Sequence, residues 1–449
     1  MIRAFLCSWV LYWLLVLLLP VHSIYPAVGA AFLLQLTFVL LVTAGYFLGS
    51  PDYREILLPD VIRGEIAPTR ALVRISLWMS LAGFLMLLFD KIFIQHIDYT
   101  SGLAIARQRW ADLGEAREGR PSSIWSILGY ALGSAYYVTA VLALTQTTLL
   151  SAQKRLRALV GAFLFALANS IITGGRSNFL LLAVVSLSAL SARRGLRFDD
   201  IFTSRGQRRF VAVTAGLSAI YVVFIFVGRA SAGDQVAYEY VVNYLPWIGV
   251  AFDEWYVKSV GEGWIGTMGH MTVLVVGYLT HSFATAAAIV DAPREDKVIL
   301  FANVADILYK FGFIPRPDGV WFLAGRFPSV PGALWHQFGA GGFAIGSLLL
   351  GLVGSWTSLW ARMSPRRLLP LGIYVLTAAT LLLTPYTFAP DFLSFPSVVV
   401  AVVALAVLSR LGAKPVRSSR ADGSSGALPE QRRERHNGQR ASIDRHLDG

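Results

Sequence analysis

The chain has 449 residues, 55% of them hydrophobic and only 15% charged, with a formal net charge of +12. Soluble globular domains carry about 25% charged residues, so this composition, with a mean hydropathy of +0.58, excludes an ordinary soluble domain. The positive balance does not argue for nucleic acid, because the basic residues cluster between apolar runs, as they do in cytoplasmic loops of membrane proteins.

Runs of about 20 apolar residues are each long enough to cross a hydrocarbon core of about 30 Å as a helix, the form that satisfies its own backbone in lipid. The first, AFLCSWVLYWLLVLLLP, follows Arg3. It reads as a retained signal anchor near residues 4–20, since no small-x-small cleavage site precedes the next run. It contains the single cysteine, Cys7, which excludes an intramolecular disulfide. Spans two and three are predicted near 26–49 and 71–94, and Arg54, Arg63, Arg70 and Arg74 place the segment between them inside. The polar stretch IDYTSGLAIARQRWADLGEAREGRPSS leads to a fourth span near 124–150.

Two shorter runs, near 158–173 and 178–192, lie between the basic knot QKRLR and a second basic stretch with Arg193, Arg194, Arg197, Arg205, Arg208 and Arg209. With both flanks inside, the pair reads as a hairpin whose tip, TGGRSN, reaches the outer face and carries Arg176. A seventh span near 210–228 ends at Arg229 on the same side. In the region 229–338, YVVNYLPWIGVAFDEWYV and MTVLVVGYLTHSFATAAAIV are interrupted by Pro, Gly and charge, as a transmembrane pair or two re-entrant segments would be, and a long outer loop follows. Spans near 339–360, 367–388 and 390–409 complete the pattern. The tail from Lys414 onward has too few apolar residues to bury a core and is predicted disordered and cytoplasmic.

The expected fold is an all-α polytopic membrane bundle of about 10–12 transmembrane helices, both termini inside, with a large outer loop and re-entrant segments. Residues 1–412 form the membrane domain, with a catalytic outer region at about 229–338, and residues 413–449 form the tail.

Several chemistries are missing. There is no GxxxxGK[ST] and no HExxH, and His22, His96, His270, His281, His336, His436 and His446 lack metal-ligand spacing, so no cofactor or metal is expected. Acidic residues are nearly absent from the spans, which weighs against an ion-coupled transporter. What the outer face offers is arginine among glycines and aromatics: Arg176, Arg229 and Arg326. A guanidinium holds phosphate oxygens bidentately and stays charged, and only a lipid-borne substrate brings phosphate to that face. Arg107 and Arg109 read as a solvated amphipathic face. His336 and His281 are candidate proton acceptors, with Glu254 next. Asp253 and Glu254 are neighbours pointing to different sides and form no acid/base dyad. Trp247, Trp255, Trp321 and Trp335 are aromatics of this region that suit an interfacial belt or, if the substrate is a glycan, stacking on sugar faces.

Three pieces together, ITGGRSNFLLL, GRASAGD to YLPWIGVAFDEWY, and RFPSVPGALWHQFGAGGFAIGSLLLGL, resemble the bacterial oligosaccharide repeat-unit polymerases, the O-antigen polymerase (Wzy-type) family. The last piece follows that family's Pro-Ser-x-x-Gly, aromatic, Phe-Gly-x-x-Gly-x-x-x-Gly pattern at Pro328, Ser329, Gly332, Trp335, Phe338, Gly339, Gly342 and Gly346, with Gly351 beyond. Where the family often has an acidic residue before Phe-Gly, this chain has Gln337, so no carboxylate role is carried to that place. The resemblance implies a metal-independent membrane glycosyltransferase of the bacterial inner membrane. It would polymerise undecaprenyl-diphosphate-linked oligosaccharide on the periplasmic face, alongside a flippase and a chain-length regulator and without nucleic acid. Arg176, Arg229, Arg326, Asn178 and Trp335 would bind diphosphate or glycan, and His336, His281 or Glu254 would take the proton. An O-antigen ligase-like transferase and a lipid-linked oligosaccharide transporter are the alternatives.

Overall fold

The computed structural model describes residues 1–50, 69–116, 122–146, 150–173, 177–193, 237–260, 263–292, 299–310, 312–315, 328–364, 367–392 and 394–411, with isolated positions between 212 and 227. The predictions for the cytoplasmic tail, and for Arg176, Arg229, Arg326 and Trp321, fall outside these residues.

The described chain is mostly helical. In order come α1 (Ile2–Leu18), α2 (Val28–Leu48), α3 (Thr69–Phe89, extended by a π-turn at Asp90–Ile94), α4 (Leu103–Ala116), α5 (Ile124–Gly133) and α6 (Ala135–Thr145). They are followed by α7 (Ala152–Thr173), α8 (Ser177–Arg193), α9 (Ala237–Trp247), α10 (Glu254–Ser259), α11 (Trp264–Thr280) and α12 (Ser282–Asp291). The described helices end with α13 (Ala302–Lys310), α14 (Val330–Met363), α15 (Leu368–Leu383) and α16 (Ser394–Leu411).

Among the described residues, five helices are long and apolar enough to cross a membrane: Val28–Leu48, Arg70–Ile94, Ile124–Thr145, Ala152–Thr173 and Val330–Met363. A sixth crossing is available if α11 and α12, bent by 49° at His281, act as one. The helices α1, α8, α15 and α16 are apolar but shorter. The outward sides of α1 and α2 match: Leu17, Leu18, Leu40 and Leu48 are 61–79% exposed. Water would penalise such a surface, and hydrocarbon does not.

Small residues let the helices touch backbone to backbone. A Cβ on Gly351 would meet the backbone nitrogen of Tyr46 at 2.7 Å, and one on Gly45 would overlap the backbone of Leu348, so α2 and α14 share a close seam. Gly83 and Gly133 do the same for α3 and α5, with Leu87 filling the space over Gly129. Association in lipid lacks a hydrophobic drive, so it relies on such close packing and on hydrogen bonds between helices. Ser76 and Thr139 lie 2.6 Å apart, Ser191 and Tyr374 2.8 Å, and Ser50 and Ser355 2.9 Å. Helix α6 is the centre: every residue from Ala135 to Leu144 is buried, against α3, α7, α8, α15 and α16.

The interrupted region contains an element that hydropathy did not announce. Val21–Ser23 (β1) pairs antiparallel with Val250–Phe252 (β2), Val21 opposite Phe252. It ties the α1–α2 connection to the α9–α10 connection, and His22 Nδ1 lies 2.9 Å from Asp253 across it. The bend at His281 is pinned from α1, where Tyr12 Oη lies 2.7 Å from Ser282 Oγ and donates to the Thr280 carbonyl at 3.2 Å.

Candidate functional site

One end of the bundle gathers polar groups that the apolar sequence around them does not favour. Helix α3 ends in the π-turn DKIFI, and both charges of that turn are buried, Asp90 at 0% and Lys91 at 1% exposure. A π-turn adds a residue to the helical ladder and often marks a functional position. Asp90 is fully engaged. Ser122 donates to its two oxygens at 2.7 Å each, Ser123 donates at 2.6 Å, and the Gln95 amide makes a further short contact. These bonds stitch the start of α5 to the end of α3. Lys91 projects the other way, its Nζ lying 4.2 Å from the ring centroid of Trp110 on α4.

Tyr99 donates to the Ile172 carbonyl at 2.9 Å, holding the α3–α4 connection against the end of α7. Burial first, and then the negative charge of Asp90, push its phenol up to about 12. It therefore stays a neutral donor at any physiological pH.

These elements enclose a cavity of about 190 Å³. Arg107 and Trp110 come to it from α4, Tyr130 and Gly133 from α5, and Ser134 and Tyr136 from the junction with α6. Asn169 and Thr173 reach it from the end of α7, Ser177 and Asn178 from the start of α8, and Ser394 from the start of α16. Among the described residues of this lining, Arg107 is the only charged one and none is a carboxylate. The Tyr130 hydroxyl is enclosed and makes no hydrogen bond among the described residues. Tyr137 donates to the Asn178 carbonyl at 3.1 Å, which fixes the first turn of α8 against α6.

The predicted residues are distributed unevenly about this cavity. Asn178 lines it, and Thr173 and Ser177, on either side of Gly174-Gly175-Arg176, line it too. Arg107, expected on a solvated face, lines it as well, whereas Arg109 is exposed. His336, His281, Glu254 and Trp335 are not in the lining. His336 is buried on the first turns of α14, at 2% exposure. His281 stacks on Tyr278 at 5.2 Å and its Nδ1 lies 2.5 Å from the Tyr278 carbonyl, so that nitrogen carries the hydrogen. Glu254 stands in solvent and pairs with Lys258 at 3.2 Å, an arrangement of little energetic weight. Trp335 packs edge-on against Phe343 at 6.0 Å, while Trp247 and Trp255 are 41% and 60% exposed.

Gln337, conspicuous in the sequence for standing where an acid is often found, accepts from the backbone N–H groups of Ile299 at 3.0 Å and Leu300 at 2.8 Å. Asp391 takes the next two amides, those of Phe301 and Ala302. The two side chains clamp the turn that starts α13. Burial pushes the Asp391 carboxyl up to about 7, opposed by those two N–H groups.

Asp90, Lys91, Trp110, Tyr130 and Asn169 carry the site without having been singled out in the sequence. The readable signal was FDKIF, an acid and a base adjacent inside an otherwise apolar run. Among the described residues no group of three His, Cys, Asp or Glu is placed to hold a metal ion. No protein-family model matches the chain, and no curated protein or solved structure gives a significant match.

Proposed function

We propose that the protein is a polytopic membrane glycosyltransferase that polymerises undecaprenyl-diphosphate-linked oligosaccharide repeat units into a surface polysaccharide. In this reading it crosses the bacterial inner membrane 10–12 times, keeps both termini in the cytoplasm, and works on the periplasmic face. One observation carries it. In a chain 55% hydrophobic, a cavity with hydroxyl and amide side chains in its wall lies where α7 ends and α8 begins, with lining residues on both sides of Arg176. Amphipathic substrates with a sugar head and a lipid tail are what such a pocket, open at one end of an apolar bundle, is suited to receive.

The reaction joins two lipid-linked chains. A hydroxyl of one oligosaccharide attacks the anomeric carbon of the other, the C–O bond to diphosphate breaks, and undecaprenyl diphosphate leaves with the bonding pair. Charge develops on the departing diphosphate, so a guanidinium there stabilises the transition state more than the ground state. Arg176 is assigned that contact. Asn178 and the hydroxyl and amide groups beside it orient sugar. The described lining contains no group that titrates near neutral pH, so the base that takes the acceptor proton lies outside it.

The test uses purified protein in lipid with a lipid-diphosphate oligosaccharide, resolving product glycan by length. A ladder of repeat-unit multiples is expected from wild type, lost in both Arg176→Lys and Arg176→Ala because the point charge of lysine does not replace a bidentate fork. A single added block on a different acceptor would identify a ligase instead. A ladder unchanged in Arg176→Ala would remove the diphosphate role from that residue.

A further inference from the structure

We propose that the turn at Ile299–Ala302 is a latch on the cavity: seated on the α15–α16 connection it holds the first turn of α16 in the cavity wall, and unseated it opens that wall. As regulation of the transfer site the inference rests on the polymerase reading, while the latch itself rests on packing.

The turn is held from elsewhere in the chain. Four successive backbone N–H groups lead into α13, and each has a side-chain acceptor from another element. Gln337 of α14 takes Ile299 at 3.0 Å and Leu300 at 2.8 Å, and Asp391 takes Phe301 and Ala302. A helix start is ordinarily capped by the residue just before it. That residue here is Phe301, which has no side-chain oxygen. Phe301 also stands at φ +60°, a backbone region that a bulky side chain enters only when its surroundings impose it. Its ring is half exposed and meets Phe388 edge-on at 4.8 Å. Ile299 and Leu300 are buried in the core that α14 shares with α1 and α2. A strained turn whose four caps are borrowed loses what imposes its conformation once it leaves its seat. It is therefore a two-state element rather than a rigid corner.

The seat leads directly to the cavity. Asp391 closes the 3₁₀ turn Ala389–Asp391, and the Phe392 N–H donates back to the Ala389 carbonyl at 3.0 Å. The Phe395 N–H then donates to the Phe392 carbonyl at 2.8 Å, and both phenylalanines are buried. Between them lies Ser394, which starts α16 and lines the cavity. Displacing Asp391 moves this wall residue, three positions along the chain. By linkage, whatever fills the cavity and favours the closed wall also favours the seated turn, by the same factor.

The experiment uses the full chain in lipid nanodiscs and perturbs the latch from each side. Among the described residues Gln337 makes its hydrogen bonds only to Ile299 and Leu300. Gln337→Ala is nevertheless expected to speed hydrogen exchange about tenfold at Phe301 and Ala302, and at Phe392 and Phe395 as well. Phe388→Leu, on the other side, is expected to speed exchange at Ile299 and Leu300, whose acceptor it leaves in place. This variant carries the test alone if Gln337→Ala does not fold. Gln337→Glu keeps acceptor oxygens and is expected to exchange as wild type does. Opening of the wall is read separately. Ser394→Cys in a Cys7→Ser background is expected to react with a water-soluble thiol reagent about tenfold faster once Gln337→Ala is added.

Fast exchange confined to Ile299 and Leu300 in Gln337→Ala, or wild-type exchange at those two amides in Phe388→Leu, would overturn the proposal. So would Gln337→Glu exchanging like Gln337→Ala, or a Ser394→Cys reaction rate that Gln337→Ala leaves unchanged. The two readings fail separately. Ladders from a protein that lacks this coupling would remove the latch alone, and the coupling without ladders would remove the polymerase alone.

Discussion

Two buried acids behave in opposite ways, and the difference lies in their partners. Asp90 is buried at the end of α3 with three side-chain donors around it. Removing it leaves Ser122, Ser123 and Gln95 without their acceptor. Hydrogen bonds to a charged group contribute about 1.5–3 kcal/mol each, though losses within one network do not add. Asp90→Ala is expected to lower the unfolding free energy by about 3 kcal/mol, and Asp90→Asn by less, as measured by denaturation in detergent. Asp391 has its carboxyl raised to about 7 by burial. A carboxyl raised above its unfolded value near 3.9 favours the folded state most when protonated. That contribution is complete below about pH 4 and is lost as pH rises through about 7. The clamp on residues 299–302 is therefore expected to loosen over this window. Hydrogen exchange of the peptide spanning α13, corrected for intrinsic rate, should rise with pH in wild type and stay flat in Asp391→Asn. A wild-type protection factor independent of pH would contradict this account of Asp391.

At the scale of elements, the seam between α2 and α14 is the sharpest case of packing set by single residues. Gly351 faces the backbone of Val42 and Tyr46, with no room for a methyl group. Gly351→Ala is expected to cost about 1–3 kcal/mol by overpacking. Gly29→Ala, on the same helix pair with nothing within 4 Å of the added atom, should melt close to wild type. The bend between α11 and α12 depends on Tyr12, and Tyr12→Phe is expected to cost about 0.6–1.7 kcal/mol, the range of interhelical hydrogen bonds in membranes. Equal melting of Gly351→Ala and Gly29→Ala would show the seam to be looser than the geometry implies.

The whole molecule was legible where a long apolar run decides the structure by itself. The span expected at 26–49 is Val28–Leu48 and that at 71–94 is Arg70–Ile94, whereas the run at 390–409 forms α16, apolar but shorter than those helices. The outer-loop arginine stretch shows the opposite. IARQRW is polar by pattern and reads as solvated, yet Arg107 and Trp110 turn to a cavity because Tyr99 anchors the preceding loop to α7 and Lys91 lies over the indole. Those contacts join residues far apart in sequence, and no local period announces them. The β1–β2 pairing is equally silent, since three-residue strands 229 positions apart leave no alternation to detect. The charge pattern points to a hairpin tip at Arg176, which lies outside the described residues; Thr173, Ser177 and Asn178 on either side of it line the cavity.

The central claim is that sugar transfer is organised at the cavity between α4, α5, α7 and α8. The measurement that tests it most directly is glycan length made by purified protein from a lipid-linked repeat unit, comparing Asn178→Ala with Glu254→Ala. Asn178 lines the cavity, while the Glu254 side chain is 89% exposed. The expected result is a ladder from wild type and from Glu254→Ala, and a ladder shortened or lost in Asn178→Ala. An intact ladder in Asn178→Ala, with none in Glu254→Ala, would contradict the account and move the chemistry to the face that carries α10.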